Sequence, residues 1–260
     1  NSSGTGYGSD VTFKTPMTPP GNALQFDGSN HVDCGTGISL ANQSFTVEFW
    51  AKRNPAAVYE MAVSQGTAGV NQGLALGFIN TNQFDFSFWG NDLITAAAYT
   101  DSNWHHWACV YDASAAAPGT NRWLYRDGVL AASDRSPANY QGSGNFYIGI
   151  TSYTGGHFPG LIDEVRIWNV ARTQDQIRAD MNRDLSGTES GLMAYYNFDQ
   201  SSGTVLPDLA GGDNSGTLVN SPVWTDSAAF NVWRGAAGTD WNTALNWSDG
   251  IPGASSNVYI

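Results

Sequence analysis

The sequence predicts an all-β protein of two packed antiparallel sheets with one short helix, and three observations carry that prediction. The first is period-two alternation: Phe45, Val47 and Phe49 alternate with Thr46, Glu48 and Trp50, and Phe84, Phe86 and Phe88 with Asp85, Ser87 and Trp89, the spacing of half-buried strands. The second is turn chemistry. The 260 residues include 30 Gly, and of 23 acidic residues only Glu48, Glu60, Glu164 and Glu189 are Glu, so the acids are mostly Asp, which favours turns over helix interiors. The third is aromatic content: 10 Trp, 11 Tyr and 12 Phe stand beside only 13% charged residues, a composition suited to strands. At 41% hydrophobic the chain can bury a sizeable core, which excludes disorder for most of it.

Residues 1–15 hold a Gly-rich turn and one alternating segment, Val11 to Thr15; a single strand does not fold alone. Pro16, Pro19, Pro20 and Gly21 make 16–22 a linker. From Ala23 to Ser227 strand follows strand. Trp104 to Tyr111 and Arg122 to Arg126 continue the alternation, Asp127-Gly128 is a two-residue hairpin turn into Val129-Leu130, and Phe146 to Ile150 and Leu161 to Trp168 follow. Thr173 with Gln176 forms a capping-box pattern, and Ile177 and Met181 then share a face at i, i+4 spacing, so a short helix begins after Thr173. After Trp224 the texture changes, with Trp233, Trp241 and Trp247 in a small polar stretch that reads as a further β-rich module over 228–260.

Five motifs in order resemble the laminin-G-like jelly-roll domains of the concanavalin A-like superfamily. They are Ala23-Leu24-Gln25-Phe26-Asp27-Gly28-Ser29-Asn30, Phe45-Thr46-Val47-Glu48-Phe49-Trp50, Trp104-His105-His106-Trp107-Ala108, Phe158-Pro159-Gly160-Leu161-Ile162-Asp163-Glu164-Val165-Arg166-Ile167-Trp168-Asn169, and Gly191-Leu192-Met193-Ala194-Tyr195-Tyr196-Asn197-Phe198-Asp199. The resemblance covers 23–227 and implies a two-sheet jelly-roll sandwich. Residues 1–15 are similar to the last hairpin of a fibronectin type III module, and 228–260 to the opening of Trp-rich repeats in large bacterial surface proteins. The expected context is a segment of a multidomain protein at a bacterial cell surface.

With 11 basic against 23 acidic residues, the net charge of −12 opposes binding to nucleic acid and anionic lipid. No apolar run approaches the ~20 residues of a membrane helix. Cys34 and Cys109 are too few for a disulfide scaffold or a zinc site; two buried thiols and a single disulfide both remain open.

Asp163 shares strand parity with Leu161, Val165 and Ile167, which on a regular strand turns a carboxylate toward three aliphatic side chains; such a group must be satisfied. The resemblance implies a structural calcium ion held by Asp163 with the early loop Asp27 to Asn30, making Asp27, Asn30 and Asp163 the expected metal residues. The alternative is that Asp163 accepts hydrogen bonds and Asp27 caps a turn. Calcium-mediated ligand binding of the pentraxin kind is not expected, because Ile150 to Gly156 contains no acid.

A hydrolase of this architecture needs two carboxylates at alternate strand positions, and no Glu has an acid two residues away. His105 and His106 are adjacent and face opposite ways on a strand. No enzyme activity is expected. Trp50 and Trp89, with Glu48, Asp85 and Ser87 beside them on the non-core parity, suit an aromatic, polar face for sugar rings, and Tyr99, Tyr140, Tyr153 and His157 fall in loops that would rim it. The expected function is a non-catalytic extracellular adhesion or carbohydrate-binding module, with glycans, a neighbouring cell surface and adjacent modules as partners. The alternatives are a rigid spacer and an accessory domain of a secreted glycoside hydrolase.

Overall fold

A computed structural model describes residues 21–151, 153, 155–227, 231–232, 239–243 and 258–259. The expected fibronectin-like strand (1–15), the prolines of the linker and most of the Trp-rich module lie outside the described residues. In chain order the elements are β1 (Asn22–Asp27), β2 (His31–Asp33), β3 (Phe45–Arg53), β4 (Glu60–Gly66), β5 (Gly73–Phe78), β6 (Gln83–Ser87), β7 (Asp92–Ala98), β8 (Trp104–Tyr111), β9 (Arg122–Arg126) and β10 (Val129–Asp134). There follow β11 (Phe146–Ile148), β12 (Pro159–Trp168), α1 (Gln174–Asp180), β13 (Leu192–Tyr196), β14 (Val205–Leu206), β15 (Gly216–Val219), β16 (Val223–Asp226), β17 (Asn231–Val232) and β18 (Val258–Tyr259).

Two antiparallel sheets face each other. The first runs β10-β9-β8-β3-β12-β1-β16, with β13 also paired to β12, and the second runs β14-β15-β2-β11-β4-β5-β6-β7. β17 and β18 form a separate parallel pair. The core is the layer between the sheets: Phe45, Val47 and Phe49 of β3 and Trp107, Cys109 and Tyr111 of β8 meet Phe84, Phe86 and Phe88 from the second sheet. Phe84 stacks on Trp107 with ring centroids 4.2 Å apart, and Phe45 lies within 6.2 Å of four aromatic rings. Burial of this apolar surface is the main stabilising term. Both thiols sit in this core as free, fully buried groups.

The local signals act where they occur. Asp127 and Gly128 both take positive φ, 52° and 68°, the geometry that lets a two-residue loop follow the twist of β9 and β10. Thr173 accepts from the Gln176 amide while the Gln176 side chain caps the Thr173 amide, and Ile177 is the buried residue of α1.

Asp163 departs from the predicted parity. The β3–β12 register shifts between Asp163 and Arg166, and Glu164 takes φ +55°. This β-bulge inserts a residue and exchanges the faces. Ile162, Val165 and Ile167 therefore point into the core, whereas Leu161 packs with Ala23, Trp50 and Trp104 on the outer side of the first sheet. The bulge lies where the neighbour of β12 changes from β1 to β13.

Candidate ligand-binding groove

The outer face of the second sheet carries a groove of about 570 Å³, within the usual size of a small-ligand site. Its floor follows from register: Ala75 opposes Ser87, Ser87 opposes Asp92, and Asp85 opposes Ile94, and directly opposed residues project to the same face. Met61 comes from β4. Gly77 stands between it and Asp85, where a Cβ would lie 2.3 Å from the Glu60 carbonyl oxygen.

The walls are aromatic. Tyr59 precedes β4 and is 52% exposed. Trp89 sits in the β6–β7 turn, where it and Gly90 both take positive φ. The Trp89 backbone is held by N–H donation to Ser87 Oγ (2.9 Å) and by accepting from the Asn71 amide (3.2 Å). Tyr153 meets Trp89 edge to face with centroids 5.2 Å apart, and lies so close over Gly73 that a Cβ there would stand 2.9 Å from the ring. Ile79 and the half-exposed Ile94 complete an amphipathic cleft.

Asp85 is the distinctive group. It is 6% exposed, and its Oδ1 is buried with no hydrogen-bond partner. Burial, and then the charge of Asp92, push its carboxyl up to about 8 against a smaller pull from Arg122. The Tyr153 hydroxyl is likewise buried without a partner. The groove lining contains no Lys, Arg or His.

The raised Asp85 has a consequence for stability. Its folded pKa exceeds the unfolded value of 3.8, so the stability it contributes is fully present below that value and is lost as pH rises through about 8. Asp85→Asn should remove this loss, making the variant more stable than the parent at pH 7 by on the order of 4 kcal/mol. Denaturant unfolding between pH 4 and 9 checks this; a gap that does not widen with pH would refute it.

The structure thus brings together Trp89, Asp85 and Tyr153 of the expected site, and separates the others. Trp50 and Glu48 are fully buried, because their face of β3 is covered by the chain around α1. Thr46 Oγ1 donates to the Val170 carbonyl, Glu48 accepts from Arg172 at 2.8 Å, and the Trp50 indole donates to the Met181 carbonyl at 2.8 Å. They form an internal polar layer, which corrects their assignment to a sugar-binding face. Tyr140 is a core residue whose hydroxyl donates to the Gln65 carbonyl. Tyr99 packs edge to face on Trp107. His157 bridges Ile150 and is not among the groove-lining residues.

The expected calcium residues do not fit one ion. Asp27 opposes Pro159 on β12, which leaves Asp163 four strand positions away, about 13 Å at the usual rise. Asp27 is exposed and caps its own turn, accepting from the Ser29 amide and hydroxyl at 2.8 Å. Asn30 Oδ1 accepts from the Asp27 amide at 3.1 Å. Asp163 accepts from the Ser227 hydroxyl, and burial and then the Glu164 charge hold its carboxyl well above the carboxylate range. Among the described residues no group of three or more His, Cys, Asp or Glu is placed to hold a metal.

Tyr59, Met61, Ile79, Asp92 and Ile94 were not legible as site residues. The alternation of Asp92 and Ile94 against Leu93 and Thr95 marks one shared face, but nothing local places that face beside Asp85. Tyr59 lies in an irregular segment with no period.

Two packed antiparallel sheets with a groove on the outer face of one define a lectin-type jelly roll. Residues 26–178 match the sequence profile of the Concanavalin A-like lectin/glucanases superfamily, and the chain belongs to that superfamily. Among solved structures it is similar to a putative carbohydrate binding protein from Bacteroides ovatus, with 23% identity over 81% of this chain and 61% of that one and a TM-score of 0.64. The chain therefore spans about three-fifths of that protein's length. It is also similar to a heptameric SAP-like pentraxin from Limulus polyphemus, with 12% identity over 81% and 97% of the two chains and a TM-score of 0.52. These likenesses concern the fold. No curated protein matches the sequence significantly.

Proposed function

We propose that this chain is a non-catalytic carbohydrate-binding module acting outside the cell, with the groove on the second sheet as its sugar site. The observation that carries the reading is the conjunction of Trp89, Tyr153 and Tyr59 as apolar walls with Asp85, Ser87 and Asp92 on the floor. Sugar rings offer apolar faces that stack on aromatics and hydroxyl edges that need hydrogen-bond partners. The polar side chains of Asp85, Ser87 and Asp92 that line the floor are partners of that kind. The similarity to the Bacteroides ovatus protein, itself a putative carbohydrate binding protein, agrees with this reading. Attachment to a glycan-bearing surface as one module of a bacterial surface protein follows from the same proposal.

The test is titration with a panel of soluble oligosaccharides, followed by tryptophan fluorescence and calorimetry. Saturable binding by calorimetry, removed by filling the floor with Ala75→Trp, supports the reading. Binding that survives Ala75→Trp places the sugar elsewhere, and no binding across the panel leaves the spacer role.

A further inference from the structure

We infer that the groove recognises its glycan through a positively charged amine, so that its preferred occupant is a chain of unacetylated hexosamine units rather than a neutral or acidic sugar. This rests on the carbohydrate reading of the same groove and narrows its ligand class.

Charge is the first support. The lining holds two carboxylates, Asp85 and Asp92, on adjacent strands, and no basic side chain. A uronate, sialate or sulfate would meet the negative charge of Asp92 beside a carboxyl that burial keeps protonated, with no cation in the lining to pair with. The second support is the unmet need of Asp85. The residue is 6% exposed, lines the groove, and has one buried carboxyl oxygen without a partner. No hydrogen bond from the described residues reaches this carboxyl, although buried polar groups are nearly always paired, and its only open side is the groove, where a ligand group can meet it. Each neighbour that faces Asp85 fails to supply a partner. Asp92 on β7 adds like charge, while Tyr153 stands on the wall and the Cys109 thiol behind the sheet is neutral. Arg122, the one cation nearby, lies on β9 behind the sheet, committed to Asp134 at 2.9 and 2.6 Å and to the Phe86 and Asn91 carbonyls.

The third support is the walls. Trp89, Tyr153 and Tyr59 surround the acidic floor, and aromatic faces attract cations electrostatically, most strongly where water is excluded. A hydroxyl would satisfy a protonated Asp85 but would leave the exposed Asp92, which accepts from the Ser87 hydroxyl, without a countercharge. An ammonium brings three donors and a full positive charge, which offsets both carboxylates. The proton that burial keeps on Asp85 is then displaced to solvent as the ion pair forms, so binding is coupled to proton release.

The experiment is calorimetric titration of the full chain at about pH 6.5, where glucosamine amines are charged, with three tetramers: glucosamine, N-acetylglucosamine and cellotetraose. Each titration is run in two buffers of different ionisation enthalpy. The glucosamine tetramer is expected to bind at least about tenfold more tightly than the other two and to release close to one proton. In Asp85→Asn both the preference and the proton release should disappear, while a melting temperature no lower than the parent's confirms folding. Equal or tighter binding of cellotetraose or the acetylated tetramer overturns the amine and leaves the groove as a sugar site. Amine-selective binding unchanged in Asp85→Asn also overturns it. Failure of all three tetramers to bind removes the amine, and the carbohydrate reading is then decided by the wider panel and the Ala75→Trp variant.

Discussion

Replacing Arg172 by alanine is expected to lower stability by about 3–5 kcal/mol, the usual result of stranding a buried charge by removing its partner. For a domain of this size that is a fall in melting temperature of roughly 10 °C. Arg172 is 7% exposed, and its guanidinium joins four groups. It donates to Glu48 at 2.8 Å, to Asp180 and to the Gln176 carbonyl at 3.2 Å, and lies 3.9 Å from the Trp168 ring centroid. Burial pushes the Glu48 carboxyl up, but the neighbouring His106, then Arg172 and Arg166, pull it below its ordinary value. Without Arg172 that carboxylate stays fully buried with His106 Nε2 at 3.4 Å as a close partner. Arg172→Lys should recover only part of the loss, because an ammonium cannot span Glu48, Asp180 and the Gln176 carbonyl as a planar fork does. Thermal unfolding of the two variants is the measurement; a shift under about 3 °C for the alanine variant would show the layer to be dispensable.

The same layer sets the acid limit. Burial, more than its pairing with Glu48, holds His106 below its ordinary value of 6.5, so the folded protein binds that proton less readily than the unfolded chain. The stability this gives is present above pH 6.5 and lost as pH falls. Glu48, also lowered, acts in the same direction below 4.5. Asp85 acts in the opposite direction as pH rises toward 8.

Trp89→Ala is expected to weaken binding of the groove's sugar at least tenfold, because the indole forms one wall and orders Tyr153 by edge-to-face contact. Its effect on stability should stay within about 1 kcal/mol. The backbone bonds to Ser87 and Asn71 do not involve the indole, and the side chain is only half-buried. Trp50→Ala should do the reverse. It opens a cavity beneath the α1 region and costs about 3–5 kcal/mol, while binding by the remaining folded protein keeps its affinity. Titration of both variants with one oligosaccharide, beside their melting curves, separates wall from layer. Equal loss of affinity in the two would contradict the assignment of the groove.

The sequence alone determined much of this protein. Alternation in β3, β6 and β8 established two-sided strands, Asp127-Gly128 fixed a hairpin, and the Thr173–Gln176 pair set the start of α1, because each of these signals is complete within a few residues. It also placed Asp85 and Trp89 on the non-core side of their segment. It could not say which outer face stays open. Trp50 and Trp89 carry the same local signature, but partners more than a hundred residues along the chain, Val170, Arg172 and Met181, cover the first, whereas the sheet around the second is left as a groove. Parity itself failed at Asp163, where one inserted residue at Glu164 exchanged the faces of β12. β4 and β5 carry no apolar–polar alternation, because the positions they turn toward the groove, Met61, Ala75 and Gly77, are themselves apolar or glycine. Strand period records only that a residue has one of two sides, and what lies against each side is fixed by long-range packing, which only the tertiary structure decided.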